Sequence, residues 1–431
     1  MRRYLLILAC LLTAQMSWAQ QIAKSRSGTF ALMNASLETV ANGRQEGNLL
    51  IQDGKIAAMG PEISIPEGAE RIDCSGLTIY PGMIDGGTTL GLGEVGSVSL
   101  TQDADEIGEV TPQMEALTAV NPNSVMIPVT RVNGVTTVLT QPKSGLFPGT
   151  AALIHLHGYT PKQMYAGFKG VVLNFPTARR RGWRDRRSDE DREKDLKKAL
   201  KDLSEVWEKA RLYARIDSLH QAGQGEAPAY NPEMARLAEA ATGKLPVLVE
   251  VNRAQDIEGA IKWVEAEKVN AIFTGVAEGW RVADKLAAAN IPVITGPVLS
   301  TPNRDSDRYD RPYANAGLMA KAGVKVAIRT NETENVRNLP FHAGFAAAYG
   351  LGREAALRAV TLTPAELFGL SDRLGSLEVG KDANLFVADG DPFETKTQIQ
   401  HLFIQGYKVP LDSRQLRLYN EFLQRDPGLK R

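Results

Sequence analysis

Between residues 28 and 81, apolar and polar positions come in short runs bounded by turn residues. TFALMNASLET, GNLLIQDGKIAAMG and AERIDCSGLTIYPG each read as strands, the second as a hairpin with Asp53-Gly54 at its turn. The same texture returns only near the other end, in GSLEVGKDANLFVADGDPF and IQHLFIQGYKV. Two stretches so alike and so far apart predict one small β-domain assembled from residues 20–79 and 373–431.

Between them the pattern changes to apolar strands alternating with helical stretches, the mark of parallel βα units. Strands are predicted near 80–85, 135–140, 151–156, 170–173, 246–251, 271–275, 292–295 and 325–330. Eight such runs predict a closed (β/α)8 barrel over residues 80–372. Helices are predicted over 256–266 and 278–289, and Thr363-Pro364 read as the N-cap and first residue of another that ends at Gly369. Residues 179–215 mix both signs of charge, with Leu196, Leu200, Leu203, Val206 and Trp207 at helical spacing. This is expected to be a solvated amphipathic helix after the fourth barrel strand; the alternative is a lid or docking helix whose basic start attracts an acidic surface.

The first residues interrupt this picture. Arg2 and Arg3, an apolar run over 4–14 and Ser17-Trp18-Ala19 predict a secretory signal over residues 1–19. The run is too short to span a bilayer. Cys10 offers the alternative of a lipid-bearing cysteine. Cleavage after Ala19 leaves Cys74 without a partner for an internal disulfide, so an exported, periplasmic protein is expected. Lys+Arg and Asp+Glu both number 50, so overall charge favours neither nucleic acid nor an anionic membrane surface as a partner.

NLLIQDGKIAAMG, GLTIYPGMIDGGTTLG, NPNSVMIPVTRVNGVTTVLTQP and LTPAELFGLSDRLGSLEVGKDANLFVADGDPF resemble the amidohydrolase superfamily, in particular its secreted imidazolonepropionase-like branch. The most specific stretch is Gly380-Lys381-Asp382-Ala383 followed by Asp389, Gly390 and Pro392; Asn384 departs from it, where Asp is usual. The resemblance implies a TIM-like barrel of the metal-dependent hydrolase type with a composite β-sandwich beside it. It also implies one or two divalent metals at the C-terminal mouth of the barrel, where a metal-bound water attacks a carbon–nitrogen bond.

The ligand positions that the resemblance implies carry other residues in this chain. The His-x-His of the first strand is replaced by Gly87 and Thr89. The fifth-strand histidine becomes Glu250, the sixth-strand position is Gly275, and the metal-binding Asp of the eighth strand becomes Asn331, which cannot ionise. Val172-Leu173-Asn174 holds no lysine to bridge two metals, while the framing residues Asp85, Pro246, Glu278 and Thr330 remain. No cofactor is therefore expected; the alternative is zinc or another divalent metal on ligands that lie elsewhere.

Arg329 stands two residues before Asn331, so the two share a direction if both lie on a strand. Buried alone, either Arg329 or Glu250 would be costly. An ion pair between them, joined by Asn331 and Thr89, would replace the missing positive charge; otherwise Arg329 grips a ligand carboxylate or turns aside. His155-Leu156-His157 is the only His-x-His in the chain and could hold a metal with Glu250, although an ordinary strand residue is the simpler reading. His342 reads as a helix-surface or cap residue, His220 and His401 as surface positions, and Cys74 as a small buried residue.

These readings favour an exported protein that keeps the scaffold and binds a small molecule or an oligomeric partner, such as an active paralogue. The alternatives are changed chemistry using Glu250, Glu278 or Glu94 as general acid or base, or a conventional hydrolase of non-peptide or dipeptide C–N bonds.

Overall fold

The computed structural model describes residues 24–178 and 186–425. The predicted signal, Cys10 and the start of the charged segment at 179–185 lie outside them.

The chain begins with β1 (Phe30–Glu38), β2 (Arg44–Gln52), β3 (Lys55–Gly60), β4 (Glu70–Asp73) and β5 (Thr78–Pro81). It ends with β14 (Leu385–Ala388), β15 (Ile399–Ile404) and β16 (Tyr407–Val409). These join in one eight-stranded sheet of order β16-β15-β14-β5-β1-β2-β3, with β4 paired to β1. The antiparallel β5–β14 pairing ties the two ends of the chain together, matching Pro81 with Leu385 and Thr78 with Ala388. Phe30, Leu32, Leu49, Ile79, Leu385 and Phe403 form this sheet's core, and Cys74 is buried among them.

The barrel sheet runs in chain order through β6 (Met83–Thr88), β7 (Val135–Thr140), β8 (Gly149–His155), β9 (Tyr165–Asn174), β10 (Val247–Val251), β11 (Ala271–Gly275), β12 (Val293–Thr295) and β13 (Val326–Ile328). Each predicted run falls on one of these strands. One inner cluster takes Ile84, Leu139, Leu153, Val172, Leu248, Ile272, Ile294 and Ala327, one side chain from every strand. That ring fixes the inward parity, so residues two further on, Glu250 and Arg329 among them, also point inward at the mouth. The barrel closes there through a side chain: Asp85 accepts from the Thr330 amide at 3.2 Å and from its hydroxyl at 2.6 Å.

The third strand departs from the parallel expectation, because β8 runs antiparallel to both β7 and β9. Its links, residues 141–148 and 156–164, are shorter than the dozen or more residues a parallel crossover requires. The C-terminal end of β8 consequently lies at the foot of the barrel, not at its mouth.

Several helix boundaries shift. The helix predicted over 256–266 spans Ala254–Glu267. That predicted over 278–289 is a 3-10 turn at Gly279–Arg281 followed by a helix at Ala283–Ala288. Thr363 lies inside the helix Leu362–Leu367 and does not cap it; Thr361 precedes the helix and bonds back to the Leu357 carbonyl.

The charged segment forms the long helix Asp189–Gln221, capped by Ser188, whose side chain accepts from the Asp191 amide. Leu203, Trp207 and Ala210 are buried, and Trp207 packs edge-on against Trp263 at 5.2 Å. It is a packed surface helix along most of its length. Its first turns nonetheless reach the mouth, where Asp189 and Arg192 share a cavity with Glu278 and Arg304.

Candidate site at the barrel mouth

Glu250, one step above Leu248 on β10, and Arg329, one step above Ala327 beyond β13, meet at the top of the barrel. Arg329 Nη2 lies 2.9 Å from Glu250 Oε1 and 2.7 Å from Oε2. Arg329 is 1% exposed, whereas the Glu250 side chain keeps 24% exposure and faces a cavity of about 240 Å³. Asn252 donates to Oε1 at 3.0 Å and Thr274 to Oε2 at 2.8 Å. Thr274 is the cross-strand partner of Glu250, and Asn252 follows it by two residues, so the backbone register delivers both donors. Burial works to raise the Glu250 carboxyl, but Arg329 and these hydrogen bonds outweigh it and hold the group below the usual carboxylate range.

Two glycines make room for the pair. A Cβ on Gly87 would stand 2.9 Å from Arg329 Cδ, and one on Gly275 would stand 2.6 Å from Glu250 Oε1 and 2.5 Å from Asn252 Oδ1. The positions where the resemblance implies metal ligands are thus the space into which the arginine and the glutamate extend. Asn331 also lines the cavity; it has a left-handed backbone, φ 56°, and its amide donates to the Gly87 carbonyl at 3.0 Å.

Thr89 does not join the pair. Its hydroxyl bonds to that of Thr333 and its amide to the Glu332 carbonyl. The register of β6 shifts between Asp85 and Thr88, so the simple i, i+2 count fails there.

The donor set does not fit a divalent metal. Among the described residues no group of three or more His, Cys, Asp or Glu side chains is placed to hold one. The single carboxylate in the pair, Glu250, is engaged by a guanidinium whose Nη1 is itself buried without a hydrogen-bond partner in the chain. A cation placed beside Glu250 would face that fixed positive charge.

The other sequence-level candidates lie elsewhere. Because β8 is reversed, His155 and His157 are at the opposite end from Glu250. His155 Nδ1 lies 3.1 Å from Asn384 Nδ2 and 3.3 Å from Thr137 Oγ1, while the His157 ring packs on Tyr407 at 4.7 Å. His342 is buried, contrary to a surface role, because its helix Leu339–Ala346 is apolar on nearly every side; Nδ1 accepts from the Val298 amide at 3.1 Å. His220 is exposed and His401 is half-buried on β15.

Glu278 is buried and gripped by Arg304, with Nε at 2.7 Å from Oε1 and Nη2 at 2.5 Å from Oε2. Burial would raise its carboxyl, but Arg304, the Ala254 amide and Asn303 hold it down to about 2. Glu94 accepts from Asn121 at 2.9 Å and does not line the mouth cavity. Held below the usual carboxylate range, Glu250 and Glu278 do not suit general-base work, which needs a proton affinity nearer the working pH.

Sequence reasoning missed the rest of the cavity wall. Trp280 carries Arg311 over its ring at 4.5 Å, and Ser300, Asn303 and Asn315 complete a mostly polar lining. These residues come from loops and from a helix whose approach to the mouth has no signal in sequence spacing.

The amidohydrolase family profile matches residues 132–409, so the chain belongs to the amidohydrolase family. The match begins beyond β6 and so does not include Gly87 or Thr89. Amidohydrolase tasK of Hapsidospora irregularis is 22% identical over 84% of this chain, which spans only 39% of that protein's length. An imidazolonepropionase of Mesorhizobium japonicum is 26% identical over 85% of this chain and 93% of its own. The crystal structure of an amidohydrolase from Thermotoga maritima superposes with a TM-score of 0.77 at 26% identity, covering 88% of this chain and 99% of that one.

Proposed function

We propose that this protein is an exported, non-catalytic member of its family that binds a small polar molecule in the cavity at the barrel mouth. The observation that carries this reading is the Arg329–Glu250 pair, which fills the space between Gly87 and Gly275 while leaving about 240 Å³ open beside it. Such a pair supplies a fixed, neutral polar wall and no free base. The barrel core is independent of mouth chemistry, so the scaffold persists when catalysis is given up. The basic, then apolar, then small-residue order of the first 19 residues supports export.

A second reading, as the partner subunit of another amidohydrolase, is favoured by the segment between β6 and β7. There Leu100 is 93% and Ile107 100% exposed, with Val95 and Val98 about half exposed. Apolar side chains gathered on one loop suit a protein partner.

The test is a thermal-shift screen of amino acids, dipeptides, N-acyl amino acids and lactams on the wild type and Arg311→Gln. A compound that stabilises the wild type and loses its effect in the variant supports binding. Turnover of any of these compounds that disappears in Glu250→Gln would overturn the non-catalytic reading.

A further inference from the structure

The foot of the barrel carries a cavity of its own, of about 530 Å³, where the turn after β8 meets the helix Met126–Arg131 and the start of the helix Arg414–Gln424. Lys24, Arg131, Arg414 and Arg417 line it, and no Asp or Glu does. Of these four cations only Arg417 has an acid partner among the described residues, Asp412 at 2.7 Å. Arg131 donates from Nη1 to the Leu156 carbonyl at 3.0 Å, and its Nε is buried without a hydrogen-bond partner in the chain. Burial pushes this guanidinium down to about 10, as expected of a cation with no counter-charge beside it. Burial likewise pushes His157 down to about 4, so the ring is neutral near pH 7 and the cavity's charge comes from the arginines and the lysine. Uncompensated positive charge in a concave, partly desolvated setting calls for an anion.

An independent feature begins at the same rim. The helix Arg414–Gln424 has no buried residue, and Leu416, Leu418, Tyr419 and Phe422 are 42–62% exposed. At about 100° per residue these four fall within one half of the helix circumference, opposite Arg417, Asn420 and Gln424. A helix of this length is marginal in water unless its apolar face is covered. The polar side carries Arg414 and Arg417 together with Glu421, which is paired with Arg425; such amphipathicity, low mean hydropathy, and Leu, Tyr and Phe on the other side are properties of a helix that lies in a membrane interface. A protein partner would have to present an acidic projection and an apolar groove side by side. An anionic bilayer offers both across its whole surface, negative headgroups above an acyl boundary.

We infer that this end of the molecule docks on an anionic phospholipid bilayer, lipid phosphates being drawn to Lys24, Arg131 and Arg414 while the apolar face of Arg414–Gln424 seats at the acyl boundary. The attachment is peripheral: among the described residues no helix is long and apolar enough to cross a membrane.

Sedimentation with vesicles tests this on the purified mature protein, residues 20–431, which lacks the apolar run at 4–14. The bound fraction should rise when phosphatidylglycerol is added to phosphatidylcholine, and fall with added salt. Arg414→Gln should lower the partition constant about fivefold, and adding Arg131→Gln should lower it by about the same factor again. Leu416→Ser with Phe422→Ser, at exposed positions that leave the fold intact by circular dichroism, should abolish most of the binding. Equal binding to both vesicle types, or binding unchanged in the serine variant, overturns the inference. So does a wild type that ignores vesicles, whether it takes up inorganic phosphate in calorimetry or forms a dimer that the serine variant loses in light scattering. Those last results would assign the surface to a soluble anion or to a second copy of the chain.

Discussion

Arg329 and Glu250 reach the barrel mouth from strands that are not neighbours, and their charged groups meet at 2.7 Å with the arginine almost wholly buried. The asymmetry in exposure makes the two ends of this pair unequal in mutation. Glu250→Gln leaves a buried guanidinium without its counter-charge and should cost about 3–5 kcal/mol. Arg329→Met leaves a carboxylate that still faces the cavity, so a smaller loss is expected. Replacing both, as Glu250→Leu with Arg329→Met, should recover much of the loss, because a well-packed apolar pair escapes the desolvation penalty. Urea unfolding of the three variants checks the order; a double variant less stable than Glu250→Gln would show that the pair contributes more than mutual neutralisation.

The same geometry predicts that restoring the absent histidines does not restore a metal site. Gly87→His with Thr89→His would place one imidazole where Arg329 Cδ already lies and the other beside Thr333, outside the pair. The variant should bind no stoichiometric zinc by elemental analysis and should be less stable than the wild type by about 1–3 kcal/mol, the usual cost of overpacking. In the wild type, a chelator should leave the melting temperature unmoved.

Much of this arrangement is legible in the chain because strand periodicity is rigid. All eight barrel strands follow from apolar runs, and parity alone turns Glu250 and Arg329 toward one another once Leu248 and Ala327 are inside. Where reading fails, a local feature breaks the count. The register shift in β6 moves Thr89 off the site, and a bulge leaves no trace in composition. The reversal of β8 was written in the short links on either side of it, but strand pattern does not encode direction. His342 sits in LPFHAGFA, a stretch too apolar for a surface helix, and that context outweighs the polarity of the one histidine. Thr274 needed the register of β10 with β11, which sequence spacing does not supply, whereas Asn252 follows Glu250 by two residues and lay within reach of the strand count.

His342 gives a pH-dependent prediction. Burial pushes its imidazole down to about 4, while in the unfolded chain it titrates near 6.5. Below about pH 6.5 the unfolded state takes up a proton that the native state does not, so stability is lost as the pH falls toward 4. His342→Asn keeps an acceptor for the Val298 amide and removes this titration. Between about pH 7 and pH 5 the variant should lose about 2 kcal/mol less stability than the wild type in urea unfolding. Parallel curves for the two proteins would mean that His342 charges freely in the native state.

Asp85 runs the opposite way and tests how the barrel closes. Burial raises its carboxyl to about 7, even though Thr330, the Gly87 amide and the nearby Arg329 all favour the charged form. From about pH 4 to about pH 7 the native state therefore keeps a proton that the unfolded chain has released, and stability falls as the pH rises through that window. Asp85→Asn keeps a carbonyl acceptor for the Gly87 and Thr330 amides, turns its amino group to donate to the Thr330 hydroxyl oxygen, and cannot ionise, so this slope, on the order of 3 kcal/mol across the window, should vanish. Asp85→Ala leaves the Thr330 amide and hydroxyl and the Gly87 amide without their acceptor, and each unsatisfied buried group costs about 1–3 kcal/mol. If the carboxylate is the clasp between the first and last strands, the alanine variant should also show faster amide exchange at Gly87 and Thr330 than the asparagine variant. Equal exchange in the two would place the closure in the backbone bonds of Asn331 and Thr89 instead.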